Sequence, residues 1–374
     1  MRRFARAGNR VIFVNSISMG LPSISNPDLL SKITRKLRSY AQPVRITEDG
    51  IIVVSPPVLP FYASGWARAI NRWLLVMQLR LLMVAFEMTK PILWIAIPTA
   101  GEVVGRINEQ LLIYQVSDKY DANQMDHATA ANVITEMHNY LLRQADLVLY
   151  SGRKLFEEET GSHPKTKAKS MLLEQGVDYD HFATATSMEG MQPNDLQGVP
   201  HPRLGYLGAI EPWLIDQELV RYVSQKRPEW QWILVGLRAS PLDIESLENV
   251  HYLGSRPYAS MPSYAAAFDV CVLPWVTDNT FVSYGSPIKV REYLATGKPV
   301  VITPIYEYEP LDGILRVSRS YDDFIAKVED ALNNDSTDKS KTRQLAVKGA
   351  TWDARAEQVS SAIATLLSLK HQRS

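Results

Sequence analysis

The sequence predicts an α/β protein made of two doubly wound domains, and three observations carry that expectation. Short β-branched runs alternate with amphipathic stretches along most of the chain, the rhythm of parallel strands wrapped by helices. The 374 residues amount to about two and a half times a usual domain of roughly 150. The rhythm breaks at residues 186–202, which lack periodicity and hold three Pro and two Gly, the composition of a linker. Hydrophobic residues at 46% against 21% charged exclude disordered, collagenous and membrane-spanning classes.

In order, residues 2–8 read as a short helix that runs straight into the first strand, 11–15. An open α/β domain ordinarily begins strand, Gly-rich loop, helix. An opening strand and its loop are therefore expected to be missing, through a start set downstream of the true one or through natural trimming. Further strands are predicted at 51–55, 92–96, 111–115, 147–151 and 169–173. Residues 26–38 read as a capped helix with Leu29, Leu30, Ile33 and Leu37 on one face and Lys32, Arg35, Lys36 and Arg38 elsewhere. Trp66, Arg68, Arg72, Trp73 and Arg80 mark a second basic, apolar stretch. The longest apolar run, 73–86, is 14 residues interrupted by Gln78 and Arg80, too short to cross a bilayer. Beyond the linker, strands are expected at 203–207, 232–235, 250–253, 270–273, 299–302 and 315–317. A last helix, 353–370, carries Val359, Ile363, Leu366 and Leu367 at helical spacing. The domains are accordingly 1–185, a linker at 186–202, 203–352, and a C-terminal helix and tail, 353–374, able to cross back to the first domain.

Forty Lys and Arg balance forty Asp and Glu, so nucleic acid is not an expected partner. The balance is uneven: residues 1–90 hold 13 basic and 4 acidic side chains, a net +9, leaving 27 against 36, or −9, for the rest. With the amphipathic stretches, this makes an anionic membrane surface an expected partner. No secretory signal follows Arg2, Arg3 and Arg6. The single cysteine, Cys271, lies in an apolar run that reads as a buried strand, and a reducing, cytoplasmic compartment is expected. The seven His are scattered without ligand spacing, which argues against zinc; His127 is the one to test.

The most informative segment is 284–301. Ser286 suits an N-cap and Pro287 a first helical position, with the helix ending at Gly297 before a buried strand. Its free N–H groups and positive dipole end form an anion site. Lys289 and Glu292, three apart, share a face: an ammonium meets a diphosphate while a carboxylate one turn deeper accepts from two ribose hydroxyls. This is a grip for a nucleotide sugar.

Together with residues 114–120, 144–150, 174–182, 204–208, 250–254 and 268–274, this helix resembles the GT-B glycosyltransferases related to family 4, particularly the group of TuaH-like teichuronic acid biosynthesis proteins. The resemblance covers most of the chain and implies two Rossmann-like domains facing a cleft. It implies hexose transfer from a nucleotide sugar to a glycan or lipid-linked acceptor, with retention and with no metal or other cofactor. Donor contacts carry over to Tyr284, Ser286, Pro287, Ile288, Lys289 and Glu292. Many members have Glu where this chain has Tyr284, and Asn where it has Gln175. Asp178 and Asp180 formally match a metal motif of the other major glycosyltransferase fold. Gly208 ends a strand where backbone can approach phosphate. Arg256, at a strand end, could reach base or phosphate. Asp118, also at a strand end, is the candidate acceptor-side contact or base. A GT-B-type nucleotide-sugar epimerase would share the grip, and a non-catalytic relative would fit the missing strand and Tyr284.

Overall fold

A computed structural model describes residues 1–15, 43–56, 64–119, 128–188, 190–238 and 240–373. The helix expected at 26–38 and His127 lie outside the described residues. The chain forms two compact units, residues 1–151, 156–172 and 356–374 in one, and 152–155 with 173–355 in the other.

The first unit contains strands β1 (Ile12–Val14), β2 (Val44–Ile46), β3 (Ile52–Val54), β4 (Ile92–Ile95), β5 (Leu111–Val116), β6 (Leu147–Tyr150) and β7 (Ser170–Leu172). The expected parallel sheet is present as two hydrogen-bonded sheets, β1-β3-β2 and β4-β5-β6-β7. Sequence reasoning missed β2, which pairs antiparallel with β3. Its Val-Arg-Ile alternation is only three residues long, and all three residues are exposed; the clearer signal was the turn at Glu48-Asp49-Gly50, where Gly50 has φ +78°. The four-stranded sheet is parallel throughout. β5 and β6 are almost wholly buried, as strands covered on both faces must be. The final helix, Trp352–Arg373, belongs to this unit from Ala356 onward. Lys370 there reaches Asp146 at 2.9 Å and the Gln110 carbonyl at 2.8 Å, and Val359 is its buried apolar anchor.

The second unit holds a six-stranded sheet of order β10-β9-β8-β11-β12-β13, comprising β8 (Arg203–Leu207), β9 (Gln231–Val235), β10 (Val250–Gly254), β11 (Val270–Leu273), β12 (Val300–Ile302) and β13 (Arg316–Val317). Every pairing is parallel. Cys271 is fully buried in β11. The chain begins in the middle of this sheet, builds outward to β10, then returns to β11 on the other side of β8. Such a reversal of winding opens a crevice at the carboxyl ends of the two central strands.

The aperiodic stretch 186–202 counts with the second unit, whose boundary falls at Leu172–Leu173. Leu196 is buried in its core, and the Arg203 guanidinium donates to the carbonyls of Leu196 and Val199 and to Gln192. Pro and Gly abolish periodicity there without preventing packing.

Gly205 in β8 lies so close to Phe268 that an added Cβ would sit 1.9 Å from its ring. Gly205→Ala is expected to destabilise the protein by about 1–3 kcal/mol through overpacking, read as a lower denaturant midpoint at constant m; an unchanged midpoint would show that Phe268 can retreat freely.

Candidate functional site

At the crevice of the second unit, β8 and β11 pair only at Leu204 and Gly205. Beyond that point the Leu207 N–H donates to the Tyr293 hydroxyl at 2.7 Å. Tyr293, fully buried, thus ties the end of β8 to the helix Ile288–Thr296 where the sheet ladder opens. β8 ends in Gly208, with φ +150°, and an added Cβ there would meet Lys289 Cε at 1.7 Å. Glycine is what lets the lysine stem lie across the strand end. Gly236, ending β9, comes as close to the Gly208 carbonyl, and a Cβ on it would lie 1.7 Å away.

The helix starts one residue later than Ser286 and Pro287 suggested. Pro287 is the N-cap, in extended conformation and without a side-chain cap, and the Ser286 hydroxyl is buried rather than capping. The reason lies in a relay from within the helix: Arg291 donates to the Tyr308 hydroxyl at 2.9 Å, and that hydroxyl donates to the Pro287 carbonyl at 2.7 Å. This holds Pro287 outside the helix. The C-terminus is as expected, Gly297 closing it with φ +78°. Ile288 opens the helix, half-buried.

Lys289 lies across the end of β8, and Glu292, one turn on, is within the electrostatic reach of Lys289, His181 and Asp178. Glu292 is only 8% exposed. Among the described residues the two form no ion pair within 4.0 Å with each other or with any third side chain, so a surface salt bridge does not account for them. Burial lowers the Lys289 pKa, opposed by the Glu292 charge. Burial raises the Glu292 pKa, opposed by Lys289 and His181 and reinforced by Asp178. Both charged groups are thus desolvated with no side-chain hydrogen bond among the described residues, an arrangement that favours a ligand able to supply an anion to one and donors to the other. Asp178 and Asp180 flank the start of the short helix Tyr179–Ala183. Among the described residues no group of three or more His, Cys, Asp or Glu is placed to hold a metal ion.

The remaining candidates divide. Tyr284 is half-buried, with the Lys154 ammonium 4.3 Å from its ring centroid and Gly152 packed against its carbonyl. Arg256, expected at base or phosphate, is paired with Asp195, to which it donates at 2.7 and 3.1 Å. The Tyr264 hydroxyl also donates to that carboxylate, at 2.7 Å, so the guanidinium is held inside the second unit. Asp118, in the first unit, follows β5 at its carboxyl end and is exposed, while its neighbour Lys119 pairs with Glu158 at 3.6 Å.

Sequence reasoning missed Glu307. It is buried, accepts from the Arg153 N–H at 2.7 Å and lies 3.8 Å from Arg291, whose guanidinium also meets Glu174 at 3.2 Å. Burial raises its pKa, opposed by the Arg153 N–H and by Arg291. The available signal was its place just after β12, next to the crevice.

Comparison with known proteins agrees with this geometry. Residues 201–334, most of the second unit, match the family described as Glycosyl transferases group 1. Over 288 residues the chain is 26% identical to a Bacillus subtilis (strain 168) protein named as the teichuronic acid biosynthesis glycosyltransferase TuaH, covering 71% of this chain and 70% of that one. The second unit carries a glycosyl transferases group 1 domain, on a chain of GT-B fold. Among solved structures, sucrose-phosphate synthase from Thermosynechococcus elongatus superposes with a TM-score of 0.67 at 14% identity, covering 96% of this chain and all of that one. Anabaena Alr3699/HepE in complex with UDP-glucose gives 0.62 at 14% identity, covering 95% and 99%. These two likenesses establish the fold. In doubly wound sheets ligands bind in the crevice where the strand order reverses, which here is the place where β8 and β11 part.

Proposed function

We propose that this glycosyltransferase moves a hexose from a nucleotide sugar to a glycan or lipid-linked acceptor, with retention of anomeric configuration. The observation that carries the reading is the pair Lys289, half-buried, and Glu292, buried, both charged and without an ion-pair partner among the described residues, on a helix that begins at the crevice. The diphosphate would lie on Lys289 and the N–H groups of the first helical turn, and the ribose hydroxyls would donate to Glu292. The UDP-glucose complex of the Anabaena structure supports a uridine nucleotide hexose as the first donor to try.

In the reaction, the bond from the anomeric carbon to the diphosphate oxygen breaks and a bond from the acceptor oxygen forms. The acceptor proton passes to the leaving phosphate. Negative charge grows on the diphosphate, and the ammonium of Lys289 and the helix N-terminus are already aimed at it. Since these groups supply the positive charge, no metal enters the proposal. Asp118 is proposed as an acceptor-side contact. The net +9 of residues 1–90 and the TuaH likeness support work on an envelope polysaccharide at the inner face of the cytoplasmic membrane.

Thermal shift against a panel of nucleotide sugars tests the donor site, because a ligand that binds only the folded state raises Tm. One class of nucleotide sugar is expected to raise Tm, and equally in EDTA, followed by transfer without added metal. A panel that leaves Tm unmoved would remove the site; activity lost in EDTA and restored by manganese would return attention to Asp178 and Asp180.

A further inference from the structure

The helix Gly65–Ala85 packs Leu75, Leu79 and Met83 on Val103 and Ile107. The opposite face of such a helix is ordinarily polar. Here it carries Trp66, Ile70, Trp73, Met77, Leu81 and Val84, exposed by 41% to 79%. Their spacings of 4, 3, 4, 4 and 3 residues keep all six on one stripe. Over 21 residues the stripe runs about 30 Å. Scattered exposed apolar residues need no explanation, but a continuous stripe marks a binding surface.

The basic residues of this helix do not interrupt the stripe. Arg68 turns away to Glu102 at 4.0 Å. Arg80, exposed at its flank, donates to the Arg106 carbonyl at 3.0 and 2.8 Å and makes no ion pair among the described residues.

We propose that this stripe is the face by which the first unit lies on an anionic membrane surface. Charge decides between that occupant and a second copy of the chain. Residues 1–90 carry +9, so pairing two copies through this helix would bring like charge together, whereas anionic headgroups neutralise it. The two tryptophans suit the headgroup level of a bilayer, where an indole buries its rings and keeps its N–H wet. The helix lies on the surface and does not span it: no described helix is long and apolar enough to cross a membrane. The inference deepens the lipid-linked-acceptor reading by giving the surface on which that acceptor is met, and it leaves Lys289 and Glu292 untouched.

The test uses the full chain with Met77→Cys, labelled by a polarity-sensitive fluorophore; the native Cys271 is fully buried and stays unlabelled. Vesicles of phosphatidylglycerol and phosphatidylcholine are compared with phosphatidylcholine alone. A blue shift and co-sedimentation with the anionic vesicles are expected, both weakened by salt. Trp73→Gln with Leu81→Gln, at exposed positions, is expected to lower the partition about tenfold or more while Tm and its rise with donor stay unchanged. Failure of that donor response in the parent would count against the donor site and leave the membrane result standing. The inference is overturned if parent and double variant sediment alike, or if neutral and anionic vesicles bind equally. It is equally overturned if the probe is already blue-shifted without vesicles, with the stripe covered by a second copy when the shift depends on protein concentration and by the chain itself when it does not.

Discussion

Lys289→Met is expected to lower kcat by about 10²- to 10³-fold, the cost of losing one preorganised donor to a developing anion, about 2.7–4 kcal/mol, while the ligand-free protein keeps or gains Tm. The second half of that expectation follows from the direction of the pKa. Burial depresses it below its ordinary 10.5, with Glu292 opposing. A lysine with a depressed folded pKa contributes its full stability only above the unfolded value, and that contribution is lost as pH falls through the folded value. At neutral pH the ammonium is therefore buried at a cost, and Met, similar in length and uncharged, removes the cost while still lying across Gly208. A structural lysine would behave in the opposite way. Steady-state kinetics and a melting curve without ligand check both halves; a kcat within about threefold of the parent, well short of the loss of an oxyanion donor, would assign the charge stabilisation elsewhere.

The parts of this molecule that the sequence revealed are those where local chemistry and tertiary structure agree. β8 and β11 occur at residues 203–207 and 270–273 as expected, because short, mostly apolar runs bounded by Pro, Gly and Asp have one reading in a sheet covered on both faces. Gly297 closes its helix as expected because a left-handed residue before a strand favours glycine. Errors fall where a distant residue decides. Ser286 has the chemistry of an N-cap, but Tyr308 takes the Pro287 carbonyl, and Tyr308 is brought there by β12. Arg256 stands at a strand end as read, but its partner in the structure, Asp195, lies 61 residues earlier and no spacing pointed to it. Glu307 resembles any acid in a Tyr-Glu-Tyr-Glu run until the fold buries it beside Arg291. For the helix Gly65–Ala85, the sequence showed a basic and apolar stretch, and the structure shows which of its apolar residues are exposed. In each case the sequence shows the residue's capacity, and only the packing shows which partner uses it.

Glu292→Ala is expected to weaken nucleotide-sugar binding by roughly 2–3 kcal/mol, about 30- to 150-fold, the scale of hydrogen bonds to a charged group. Glu292→Gln, which keeps the shape and one acceptor oxygen, should lose less. Burial raises the carboxyl pKa of Glu292 above its ordinary 4.5, against the opposing charges of Lys289 and His181. A group with a raised folded pKa contributes stability that is present below its unfolded value and lost as pH rises through the folded one. At neutral pH the ligand-free protein thus holds a carboxylate that would be cheaper neutral, and Glu292→Gln is expected to flatten the decline in Tm as pH rises from about 4 through the folded pKa. The two readouts move in opposite directions only if the carboxylate is kept for a ligand. A structural carboxylate would lower both Tm and affinity when removed, and one that merely pairs with Lys289 would leave affinity unchanged. Isothermal titration with the nucleotide sugar selected by thermal shift, run beside melting curves across that pH range, separates the three; unchanged affinity in a folded Glu292→Ala protein would remove Glu292 from the donor site and, with it, the ribose half of the grip.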